Sequence, residues 1–200
     1  AVQAESNAFS QDSFNRMRLG WIPGIDAKRV FTDDEWNCLA VKEVKLPEEP
    51  DLVYSVKFAP DRSAVTLAVG VVMGDKIHVE VIDRKRLSNG MAWLEAWLLD
   101  RWRKANMIII DGAAGQGLLV EDLLRSEKRI GKRILTPNVK EAGSAYASFY
   151  QAIQDGTLTH FNQPILNSAI RSCKRRDIGK DGMFGYAPLN QNIGVDPVEA

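Results

Sequence analysis

Three consecutive isoleucines, Ile108 to Ile110, stand between Met107 and Asp111 and run straight into Gly112-Ala-Ala-Gly-Gln-Gly117. An apolar run this rich in β-branched side chains reads as a strand covered on both faces, which is the habit of sheets in α/β proteins. In such sheets ligands bind in the crevice at the carboxyl ends of the strands. Asp111 thus stands where a buried strand opens into a flexible turn. A second carboxylate, Asp196, recurs in Asn192-Ile-Gly-Val-Asp196. Two carboxylates that a fold can bring together suggest a metal site.

The chain divides near residue 50. Residues 1–50 are expected as an arm: they end in Leu46-Pro-Glu-Glu-Pro-Asp51, whose prolines and acids favour an extended, solvated connector. Residues 51–200 are expected as the folded domain. Strands are predicted over 53–58, 64–73 and 76–83, joined by turns at Pro60-Asp-Arg-Ser63 and Gly74-Asp75. Then come a helix over 91–104, the strand 107–111, a helix over 115–127, a strand over 133–136 and a helix over 139–154. A short segment at 158–161, a helix over 164–175 and a glycine-rich hairpin around 182–188 close the chain. Hairpin-linked strands followed by alternating helices and strands imply an α/β fold, a mixed β-sheet flanked by helices on both faces. Trp93 and Trp97 fall at i, i+4 on the first long helix, a spacing of core packing more often than of a base-stacking platform.

With 200 residues and 45% apolar content, a sizeable core can be buried without disulfides. Cys38 and Cys173 lack CxxC spacing and read as free thiols, and neither histidine belongs to a zinc pattern. No run approaches the roughly 18 apolar residues of a membrane span, so a soluble, cytoplasmic protein is expected. Net charge is zero but unevenly spread, with bases concentrated at Arg101-Trp-Arg-Lys104, at 128–133 and most densely at Arg171-Ser-Cys-Lys-Arg-Arg176. A local basic stripe can neutralise phosphates although distant acids cancel the total; a solvated helix face is the competing reading.

Several motifs then converge. Phe14-Asn-Arg-Met-Arg-Leu-Gly-Trp21, Val56-Lys-Phe-Ala-Pro-Asp-Arg-Ser63, Ile110-Asp-Gly112, Gly156-Thr-Leu-Thr-His160, Ile178-Gly-Lys-Asp-Gly-Met-Phe-Gly185 and Val195-Asp-Pro-Val-Glu-Ala200 occur in this order. Together they resemble the C-terminal nuclease part of tailed-phage terminase large subunits, a ribonuclease H-like family. The likeness covers nearly the whole chain, the arm included. No GxxxxGK[ST] loop occurs in it, so the ATPase half is not represented.

The resemblance implies a metal-dependent endonuclease that cuts concatemeric double-stranded DNA during genome packaging. In that family, acids on the first strand, the fourth strand and a C-terminal element hold two divalent ions, Mg²⁺ or Mn²⁺. One ion lowers the pKa of the attacking water and the other stabilises the leaving oxygen. Asp111 matches the fourth-strand acid and Asp196 the C-terminal one. The first-strand position departs from the pattern, because Lys57 stands where an aspartate is expected. An ammonium there opposes metal binding by like-charge repulsion.

Asp61 is the candidate replacement, completing the set with Lys57 contacting phosphate; the alternative is an ordinary turn residue in Pro-Asp-Arg-Ser. DNA-backbone contacts are expected from Arg171, Lys174, Arg175 and Arg176. His160 is an auxiliary proton shuttle or DNA contact, or else a structural histidine. Gly112 to Gly117 either cradles a phosphate or merely makes a strand-to-helix turn. The implied partners are double-stranded DNA, the ATPase half, a small terminase subunit and the portal. A second functional reading is a terminase-derived domain that binds DNA or docks on the packaging machinery without cleaving, its site impaired by Lys57.

Overall fold

β1 (Asp51–Phe58), β2 (Ala64–Met73) and β3 (Lys76–Arg86) form an antiparallel meander. β4 (Ala105–Asp111) and then β5 (Ile134–Leu135) join one edge in parallel, and β6 (Leu158–His160) joins the other, giving the order β5-β4-β1-β2-β3-β6. The computed structural model describes residues 29–179 and 182–200. The Phe14–Trp21 motif and Lys180-Asp181 lie outside the described residues. The helices are α1 (Asp33–Asn37), α2 (Ala92–Arg101), α3 (Gln116–Ser126), α4 (Val139–Gln154), α5 (Pro164–Arg171) and α6 (Asp196–Glu199).

Alternation along the strands splits the side chains between two cores. Tyr54, Val56 and Phe58 of β1 pack with Leu94 and Leu98 of α2 and with Leu119 and Leu123 of α3. On the opposite face Tyr146 and Ile153 of α4, Leu166 and Ile170 of α5 and Val198 of α6 form the second core with Val81. Each large apolar side chain so buried contributes about 1.5–3 kcal/mol. The molecule is thus an α/β fold with a mixed sheet and helices on both faces.

Local sequence explains where the helices begin. Asn138 caps α4 by accepting from the amides of Lys140 and Glu141, while the Glu141 carboxylate accepts from the Asn138 amide. Thr32 and Glu35 make the same reciprocal box on α1. That helix lies inside residues 1–50, the segment read as an arm. Its Trp36, with Phe31 and Leu39, is buried in the second core, and the Val41 amide donates to the His160 carbonyl at 2.9 Å.

The expected helix 164–175 stops at Arg171. Cys173–Ile178 is instead strand β7, paired with β8 (Met183–Pro188) in a two-stranded ribbon. Lys174-Arg-Arg-Asp177 offers no apolar stripe at helical spacing, so pairing with β8 satisfies its backbone better than a helix with nothing to bury. The helix expected over 91–104 likewise ends at Arg101, with a 3₁₀ turn over Trp102–Lys104. Among the described residues no helix is long and apolar enough to cross a membrane.

Candidate acidic centre and adjoining basic groove

Strand register places four polar side chains in one lateral row. Lys57 of β1 lies opposite Asp111 of β4 on one side and Thr66 of β2 on the other, and Thr66 lies opposite Arg84 of β3. Directly paired residues share a sheet face. Asp111, Lys57, Thr66 and Arg84 therefore all face the side on which α6 packs.

Lys57 is buried at the middle of this row. Its Nζ donates to Asp111 Oδ2 at 2.5 Å and to the Tyr146 hydroxyl at 2.9 Å, and lies 3.2 Å from Glu199 Oε2. Burial works against the ammonium, but Glu199, Tyr146 and Asp111 together outweigh it and hold its pKa above the ordinary lysine value. Burial pushes the Glu199 carboxyl upward, and Lys57 restrains the rise. Tyr146 is likewise raised, first by burial and then by Glu199.

Asp196 is 1% exposed and belongs to a separate pairing. Its Oδ2 accepts from the Thr66 hydroxyl at 2.6 Å and from Arg84 Nε at 2.7 Å, and its Oδ1 accepts from Arg84 Nη2 at 2.9 Å. The hydrogen bond to Asp196 is the main reason the Arg84 guanidinium is held above its usual pKa. Asp196 and Glu199 are three residues apart on α6, a spacing that puts both on one helix face.

Asp111 is fixed by the turn that follows it. Gly112 has φ +110°, and a Cβ there would lie 2.6 Å from the Phe58 carbonyl oxygen. Only glycine lets the chain pass β1 this closely.

The remaining sequence candidates lie elsewhere. Asp61 stands in the β1–β2 turn, where its Oδ1 accepts from the Ser63 amide at 2.9 Å and the Ser63 hydroxyl at 2.6 Å. Those bonds hold its carboxyl below the usual range. His160 is fully buried against Trp36, with ring centroids 3.8 Å apart. Its Nε2 meets the Trp36 carbonyl and its Nδ1 accepts from the Asn162 amide, so both ring nitrogens are occupied. Arg171 pairs with Asp33 at 2.9 Å, and Arg175 lies over the rings of Tyr150 and Phe184. Lys174 is exposed on β7.

Arg176 belongs to a different feature. A groove of about 1240 Å³ runs between the β1–β2 turn and the β8–α6 segment, lined by Arg62, Arg84, Arg86 and Arg176 together with Asp61 and Asp196. Arg84 is committed to Asp196, whereas Arg62 and Arg86 have no ion pair among the described residues. The mouth of the groove is therefore basic, and its floor reaches the acidic centre.

The donor set does not fit a divalent ion as it stands. Asp111 and Glu199 share the Lys57 ammonium and Asp196 is forked by Arg84, so each carboxylate already faces a side-chain cation. Among the described residues no group of three or more His, Cys, Asp or Glu is placed to hold a metal.

Sequence reading singled out Lys57, Asp111 and Asp196, and the structure brings all three to one face. It did not single out Glu199, Tyr146, Thr66 or Arg84. Glu199 carried a signal in its three-residue spacing from Asp196, whereas the other three join the site only through strand register and helix packing.

Several solved structures resemble this one. The large terminase of bacteriophage HK97 aligns with a TM-score of 0.62 and 10% identity over 98% of this chain and 50% of that chain. This chain thus spans about half the length of that protein. The large terminase nuclease from thermophilic phage G20c aligns with a TM-score of 0.60 and 13% identity over 86% of this chain and 94% of that chain. The same nuclease with bound magnesium aligns at 0.55 and 12% identity, over 86% of this chain and 93% of that one. No protein-family model matches the chain, and no curated protein matches it in sequence. At these identities the likeness is one of fold: the chain has the ribonuclease H-like fold of large-terminase nuclease domains.

Proposed function

We propose that this chain is the nuclease-like part of a phage terminase large subunit, and that it holds double-stranded DNA without metal-dependent cleavage. The observation that carries this reading is the Lys57 ammonium 2.5 Å from Asp111 and 3.2 Å from Glu199. A divalent ion would have to enter beside that charge, and Coulomb repulsion at such short range in a buried site opposes it. The basic groove supports DNA as the ligand, since Arg62, Arg86 and Arg176 can neutralise backbone phosphates regardless of base sequence. An ATPase half, a small terminase subunit and a portal are the partners this reading expects, and residues 51–200 are the part it assigns to the DNA-holding domain.

A second reading has one specific observation in its favour. Asp111, Asp196 and Glu199 lie on the same sheet face, where displacement of the two cationic side chains would leave a set of hard oxygen ligands suited to Mg²⁺ or Mn²⁺. On that reading the protein is a metal-dependent endonuclease, with Asp61 as a further candidate ligand at the rim of the groove.

Supercoiled plasmid incubated with the purified chain and Mg²⁺ or Mn²⁺, with and without EDTA, separates the two. The proposal expects salt-sensitive retardation of duplex DNA and no EDTA-sensitive nicking. EDTA-sensitive nicking by the unaltered chain selects the second reading, and absence of retardation at low salt removes DNA holding altogether.

A further inference from the structure

We infer that the Lys57 ammonium is the resident cation of this centre, neutralising and tethering the C-terminal helix in the place where a divalent ion would otherwise be drawn in. The inference rests on the reading above that the centre is built without metal. An ammonium has three protons, and three oxygens surround this one: Asp111 Oδ2 from β4, the Tyr146 hydroxyl from α4 and Glu199 Oε2 from α6. Two of these contacts are hydrogen bonds and the third is an ion pair, and the oxygens come from three separate elements. That is how a small cation is held, by oxygen donors converging on one point of charge.

The surroundings fit a cation fixed for structure. The Glu199 side chain is 2% exposed and that of Lys57 9% exposed, so the pair is largely shielded from bulk water. The other end of α6 is secured in the same manner, Asp196 by Arg84 and Thr66. Arg176, 4.0 Å from Glu199 Oε1, supplies a more exposed second positive charge. Taking Lys57 away leaves Asp111 and Glu199 facing a space from which a positive charge has gone. Divalent ions that prefer oxygen ligands and accept one or two carboxylates, with water in the remaining positions, then become the favoured occupants.

The test is thermal unfolding and calorimetric titration with MnCl₂ and MgCl₂, against NaCl at matched ionic strength, for the unaltered chain, Lys57→Gln and the double variant Lys57→Gln/Glu199→Gln. Expected is no saturable ion binding and no divalent-specific change in Tm for the unaltered chain. Lys57→Gln is expected to melt lower and to recover several degrees with saturable Mn²⁺ binding, a recovery lost in the double variant. Saturable Mn²⁺ binding by the unaltered chain that disappears in a single Glu199→Gln variant overturns the inference, and this arm needs no Lys57 variant to fold. A folded Lys57→Gln that ignores divalent ions overturns it too. Neither outcome depends on DNA retardation or plasmid nicking, so the inference and the proposed function can fail separately.

Discussion

Arg84 holds Asp196 in a two-pronged fork, Nε to Oδ2 at 2.7 Å and Nη2 to Oδ1 at 2.9 Å, across 112 residues of sequence. Parallel hydrogen bonds of this kind are among the stronger polar contacts in proteins. Asp196 is almost wholly buried, so removing its partner strands a charge. Arg84→Ala should therefore cost about 3–5 kcal/mol. Thr66→Val, which removes one hydrogen bond to the same carboxylate, should cost about 1–3 kcal/mol. Urea denaturation midpoints of the two variants check both the order and the sizes.

Glu199 makes stability depend on pH in a defined direction. Its folded pKa lies above the ordinary 4.5 because of burial, with Lys57 pulling the other way. A raised folded pKa means that the native state holds this proton more tightly than the unfolded chain does. The resulting stability is fully present below about 4.5 and is lost as pH rises through the folded value. Relative to Glu199→Gln, which cannot titrate, the unaltered chain should lose stability as pH is raised from 4 towards neutrality. A difference in unfolding free energy between the two that stays constant over this range would contradict the assignment.

The groove arginines should act on DNA affinity without regard to sequence. Arg176→Ala and Arg62→Ala are each expected to weaken duplex binding evenly across unrelated sequences. Each should also reduce the slope of log K against log salt by about 1. Arg171→Ala, whose side chain is turned to Asp33, serves as the comparison and should leave the slope nearly unchanged.

Asp61 is expected to matter to its own turn. Asp61→Ala removes two hydrogen bonds to Ser63 in an exposed loop and should lower stability by about 0.5–1.5 kcal/mol. Any response of the protein to Mn²⁺ should be the same before and after this substitution. A metal response that vanished with Asp61 would place this carboxylate among the ligands.

Gly112 should tolerate no side chain. Its φ of +110° and the nearness of the Phe58 backbone predict that Gly112→Ala shifts Asp111 away from Lys57. The expected cost is about 1–3 kcal/mol or more, through overpacking and backbone strain. Thermal unfolding reads the cost, and the Lys57 Nζ signal in NMR spectra reads the displacement.

Much of the fold was legible in order along the chain. The hairpin-linked strands, the isoleucine strand ending at Asp111 and the capped helix from Val139 all occupy nearly the spans their local patterns predict. Such patterns work because alternation and capping are decided by neighbours a few residues away. The helix expected to run on through Arg175 failed for the same reason. Its last residues look like one basic helix face, but a ribbon partner nine to fifteen residues later takes the backbone from Cys173 to Arg176, sends Arg175 onto aromatic rings and leaves Arg176 in the groove.

By itself the sequence determined the α/β element order from β1 to α5, the placing of Asp111 at a strand's carboxyl end and the presence of a lysine where an acid is expected. Only the tertiary structure decided that this lysine is enclosed by Asp111, Tyr146 and Glu199, and that Asp196 is bound to Arg84. Those pairings depend on cross-strand register and on the docking of a four-residue helix, which are long-range events set by core packing. Charge in a sequence has a sign, but its partner is chosen only when the chain folds.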